Sequence, residues 1–82
     1  MNALHIDLLI ALRAPDRYGL ALDALLTDMR RGRHRELTEP ELLKALRDLA
    51  DKGLAISFTS ATGSARWRIT YLGKAALIED GL

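Results

Sequence analysis

With 82 residues the chain has room for one domain and a small core, and 49% hydrophobic residues are too many for a disordered tail. No apolar run reaches the roughly 20 residues a membrane-spanning helix needs, and the first stretch, with Asp7 and no basic leader, does not read as a signal peptide. The lack of cysteine excludes disulfides and thiolate metal sites and suits a cytoplasmic location, while a formal net charge of +1 means that any case for nucleic acid must rest on local charge.

The stretch "NALHIDLLIALRAPD" predicts a first helix that Pro15 ends, because a residue before proline is pushed out of the α region. Leu4, Leu8 and Leu12 share one side, and Ile6, Leu9 and Ile10 place apolar groups on others. A helix that is apolar nearly all round is either central in its own core or shared with a partner chain. The second reading predicts a homodimer joined through the first helix at Leu4 and Leu8, aided by the last helix around Leu77.

In "RYGLALDALLTDMRRGRHRE", Leu22, Leu25, Leu26 and Met29 recur at helical spacing, with Gly19 as the expected start and Gly32 as the stop. "LTEPELLKALRDLADKGLA" is the clearest helix of the sequence. Thr38 and Glu41 have capping-box spacing, and Pro40 is tolerated in a first turn. Gly53 is the expected C-terminal cap, with Leu54 folding back over the last turn.

The period then changes from helical to alternating. "AISFTS" and "RWRITY", around the turn "ATGSA", predict a β-hairpin. Trp67, Ile69 and Tyr71 fall on one face, and Arg66, Arg68 and Thr70 on the other. Trp67 reads as a core anchor rather than a base-stacking platform. Thr70 or a neighbour can cap a short helix through Lys74, Ala76 and Leu77, packed on the first helix. The order predicts an α+β fold spanning residues 1–82: a small winged helix-turn-helix of three helices, a hairpin wing and a short C-terminal helix.

Two phrases resemble small bacterial winged-helix regulators of the PadR and MarR type. The helix end shows Leu46, Leu49, Gly53 and Leu54, and the strand-to-helix phrase shows Ile69, Thr70, Gly73 and Leu77. "RAPDRYGLAL" loosely resembles the joint between the first two helices of PadR-type proteins. The resemblance implies a dimeric DNA-binding regulator whose third helix enters the major groove.

The basic residues test that implication. On the third helix, Lys44 and Arg47 face outward with Glu41, Asp48 and Asp51. They are either base-reading groups or members of a self-paired, solvated face, Lys44 with Asp48 and Arg47 with Asp51. "RRGRHRE" supplies Arg30, Arg31, Arg33 and Arg35, suited to clamp phosphate or simply to fill a helix end and a solvated loop. Thr38 sits at the start of the third helix, within reach of a backbone contact. Arg66 and Arg68 suit the minor groove or ordinary strand exposure, and Thr59, Ser60, Thr62 and Ser64 are phosphate donors or turn residues.

Enzymatic readings find little here. His5 and His34 have no adjacent acid or nucleophile at a meaningful spacing, and His5 reads as a packing residue. Glu39 and Glu41 belong to a helix start. No phosphate-cradling glycine loop or metal-ligand cluster is present, so neither cofactor nor metal is expected. The expected function is DNA-binding transcriptional regulation. The alternative is a winged-helix protein-interaction module or small subunit that does not touch DNA.

Overall fold

The computed structural model describes all 82 residues as a small α+β domain of four helices and a two-stranded antiparallel hairpin. Its order is α1 (Ala3–Arg13), a 3-10 turn (Asp16–Tyr18), α2 (Leu22–Arg31), α3 (Glu39–Asp51), β1 (Ala55–Thr59), β2 (Ala65–Ile69) and α4 (Tyr71–Glu79). No helix is long and apolar enough to cross a membrane.

Helix α1 is the centre of this arrangement. Asn2 caps it, its side chain accepting from the His5 backbone N–H at 2.8 Å. Leu8, Leu9 and Leu12 are fully buried, and α1 packs against α2, α3, α4 and β2. Its all-round apolar character is therefore used inside the chain. Leu8 has no surface to offer a partner, which removes it from the expected interface, while Leu4 is only partly buried. The large apolar side chains left exposed lie elsewhere, chiefly on α4, where Tyr71 is 84% and Ile78 74% exposed and Leu72 is exposed beside them.

Helix α2 starts later than Gly19 suggests. Its N-cap is Ala21, and Gly19 instead closes the 3-10 turn at φ +64°. A side chain at Gly19 would collide with the Trp67 carbonyl and the Phe58 ring. That close approach lets Leu20 pair with β2: its N–H donates to the Trp67 carbonyl at 2.8 Å and its carbonyl accepts from the Trp67 N–H at 2.9 Å. Gly32 caps the far end of α2 as expected.

Helix α3 begins with the capping box. The Thr38 hydroxyl oxygen accepts from the Glu41 N–H, and the Glu41 carboxylate accepts from the Thr38 N–H. It ends in a Schellman turn, where Leu54 donates to Leu49 and Gly53 to Ala50. Leu42, Ala45, Leu46 and Leu49 form the buried face.

In the hairpin, Ala55 pairs with Ile69, Ser57 with Trp67 and Phe58 with Arg66. Ala55 and Ile69 are buried, and Trp67, on their face, packs against the core. Arg66 and Arg68 occupy the opposite face with Ile56 and Phe58, as directly paired residues share a side. Tyr71 does not extend the strand. The Thr70 hydroxyl oxygen accepts from the Gly73 N–H and starts α4 there, so Tyr71 becomes its first residue and points to solvent. Leu77 of α4 is fully buried, and α4 packs on α1.

Candidate nucleic-acid interface

The nine basic and hydroxyl side chains picked out in the sequence fall into three groups, and the fold treats them differently. In the loop after α2, Arg33 is held by an acid from the other end of the core. Its Nε donates to Asp7 Oδ2 at 2.6 Å and its Nη2 to Asp7 Oδ1 at 3.0 Å. His34 donates from Nε2 to the same Oδ2 at 2.6 Å. The Arg33 hydrogen bonds hold the Asp7 carboxyl below its ordinary value; partial burial opposes this and the His34 hydrogen bond adds to it.

His34 thus has an acid beside it in space that no sequence spacing shows. Asp7 lies 27 residues away in sequence, on a helix that reads as purely apolar packing. A charged residue part-way along such a helix is the one signal that could have pointed to this contact, since a carboxylate turned toward a core keeps a partner. Arg30 anchors the same loop: its Nε donates to the Leu37 carbonyl at 2.8 Å, while its terminal nitrogens make no hydrogen bond. Arg31 and Arg35 are exposed and have no carboxylate within ion-pair distance.

On α3, Thr38 is committed to structure. Its hydroxyl also donates to Glu41 Oε1 at 2.8 Å, which lowers the Glu41 carboxyl below its ordinary value. A DNA contact from that hydroxyl would compete with the cap. Lys44 and Arg47 are exposed, and neither forms the expected i, i+4 ion pair. Asp48 is turned instead toward α1, with its Oδ2 3.8 Å from His5 Nε2. An exposed pair gains little Coulomb energy in water and loses side-chain freedom, which leaves Arg47 and Asp51 apart. His5 is buried, and its Nδ1 has no hydrogen-bond partner.

On the hairpin, Arg66 donates from Nη1 to the Gly19 carbonyl at 3.3 Å. Arg68 lies over the Phe58 ring, 5.6 Å from its centroid. Both arginines are half-buried through their stems and lack an acidic partner. Beside them stand two residues that sequence reasoning passed over as part of a joint. Arg17 lies 5.2 Å from the Tyr18 ring centroid, and both belong to the 3-10 turn.

No family model matches the chain, and no curated protein or solved structure matches it.

Proposed function

We propose that the protein is a DNA-binding transcriptional regulator of winged helix-turn-helix form. In this reading α3 enters the major groove, and the basic loop and the hairpin wing hold the phosphate backbone. The observation that carries it is the outer face of α3. Lys44 and Arg47 stand there without ion-pair partners, while Glu41 is engaged in the cap and Asp48 leans toward His5. Both cations are thus free to meet an outside anion, with Asp51 the acid left unpaired on the same face. Arg31 ends α2 and Arg35 lies in the segment that leads into α3, while Arg66 and Arg68 lie on β2.

A regulator of this kind matches two half-sites as a homodimer. With Leu8 buried, the contact surface falls to the exposed Tyr71, Leu72 and Ile78 of α4. The same three side chains favour the second reading, a protein-interaction module without DNA contact, because several large apolar side chains exposed on one helix suit a protein contact.

Fluorescence anisotropy on a random duplex and on a duplex selected from a random pool, at low and physiological salt, tests the reading. Tighter binding to the selected duplex, weakening with salt, is expected. A folded protein that binds neither at low salt is an interaction module instead.

A further inference from the structure

A groove of about 430 Å³ opens between the 3-10 turn and the tip of the hairpin. Arg17 and Tyr18 form one wall, Ser60 and Thr62 the other, and Phe58 and Arg66 also line it. No carboxylate lines it. The acid nearest in sequence, Asp16, is drawn away by Lys74 of α4, whose Nζ lies 2.6 Å from Asp16 Oδ1. Arg17 and Arg66 reach the groove from different elements, and neither has an acidic partner.

Each guanidinium has one anchoring contact, Arg66 with backbone and Arg17 with its neighbouring side chain. Arg66 is anchored by the Gly19 carbonyl, and Arg17 is stacked on Tyr18 with its Nη2 3.2 Å from the phenol oxygen. Each guanidinium retains further N–H donors beyond those contacts. The Ser60 and Thr62 hydroxyls are 3.0 Å apart, so one donates to the other and a single hydroxyl hydrogen remains for an outside acceptor. Tyr18 is 67% exposed, a large flat ring at the rim of a basic groove.

Two guanidinium groups and a hydroxyl donor, without an acid, suit an anion with several acceptor oxygens. The flat ring beside them suits a planar group attached to that anion. We infer that this groove is a phosphate site that takes a nucleotide: Arg17 and Arg66 hold the phosphate oxygens, and Tyr18 lies against the adjoining sugar or base. The phosphate comes from a free mononucleotide or from a DNA backbone, and the second source rests on the DNA-binding reading.

The ¹⁵N-labelled full chain, titrated with a deoxynucleoside monophosphate and separately with a short duplex, tests the inference. The amide resonances of Arg17, Tyr18, Ser60 and Thr62 are expected to shift with the mononucleotide. Arg17→Ala, at an exposed turn, should abolish that response while the rest of the spectrum stays folded. Tyr18→Ala should weaken mononucleotide binding about tenfold, as for the loss of a stacking platform. If the backbone is a source, Arg17→Ala also lowers the log–log salt slope of duplex binding by about 0.9, the share of one phosphate.

A groove response to the mononucleotide without duplex binding sustains the site and removes the DNA reading. A response to duplex alone sustains the site with the backbone as its source. Duplex binding with a silent groove and an unchanged slope in Arg17→Ala overturns the site and leaves the DNA reading standing. Silence toward both ligands overturns it as well.

Discussion

Asp7 and Arg33 are joined by two hydrogen bonds of 2.6 and 3.0 Å, tying the middle of α1 to the loop that follows α2. The arginine sits in the most basic segment of the chain, yet its charge is matched from within. Asp7→Asn keeps the shape of the side chain and removes that charge. Because Arg33 is largely exposed and solvent screens the pair, the expected loss of stability is small. The same change frees a cation, so duplex binding at low salt should tighten. Chemical denaturation and anisotropy on one protein sample check both effects; unchanged DNA binding would place Arg33 outside the interface.

Acid should unfold the protein in two stages. Burial, then Lys52 and the N-terminal amine, lower the His5 pKa from 6.5, with Asp48 opposing; its folded value therefore lies below its unfolded one. The unfolded chain takes up more protons as pH drops, so stability from neutral His5 is complete above about pH 6.5 and declines as pH falls through the folded value. Asp7 behaves likewise from its ordinary 3.8 downward, because Arg33 favours the ionised form. Urea midpoints across this range should fall in His5-dependent and Asp7-dependent steps. His5→Leu should flatten the upper step only, and an upper step that persists in that variant would assign it to another group.

Thr38→Ala removes the side chain that caps α3 and receives Glu41. It should cost about 1 kcal/mol. A thermal midpoint unmoved by this change would mean that α3 does not depend on its cap. Leu8→Ala opens a hole among fully buried leucines and should cost about 2–5 kcal/mol, read in a denaturant titration. It should do so without changing the sedimentation of the folded fraction, since Leu8 has no exposed surface.

On the proposed DNA-binding reading, phosphate and base contacts should separate by mutation. Arg31→Glu with Arg35→Glu should weaken binding to all duplexes about equally, because phosphate contacts carry no sequence information. Lys44→Ala or Arg47→Ala should change the preferred sequence, by about 1–3 kcal/mol for each lost base contact. Selection from a random pool with each variant measures this, and identical selected sites for wild type and Arg47→Ala would remove Arg47 from base reading.

Local signals carried the fold. The Thr38–Glu41 spacing, Gly53, the alternation around Trp67 and the cap at Thr70 each describe a few neighbouring residues, and all appear in the structure, with the alternation ending at Ile69 rather than Tyr71. What escaped the sequence depends on residues far apart in the chain. Asp7 reaches His34, Gly19 meets Trp67, and Asp16 pairs with Lys74 across the molecule. The α3 cations show the limit from the other side. Correct i, i+4 spacing did not produce ion pairs, because Asp48 turns toward His5 and an exposed pair offers too little to hold Arg47 to Asp51.

The junction between α3 and α4 has a mechanical consequence. The Thr70 hydroxyl donates to the Gly53 carbonyl at 2.6 Å and its N–H to the Leu54 carbonyl at 3.1 Å, while Gly73 is packed so closely that any side chain there would strike the Leu54 carbonyl. The first turn of α4 is thereby seated on the end of α3 by contacts that a larger residue at Gly73 or loss of the Thr70 hydroxyl would break, so the direction in which Tyr71 is presented to solvent is set by the last turn of α3 as well as by the hairpin.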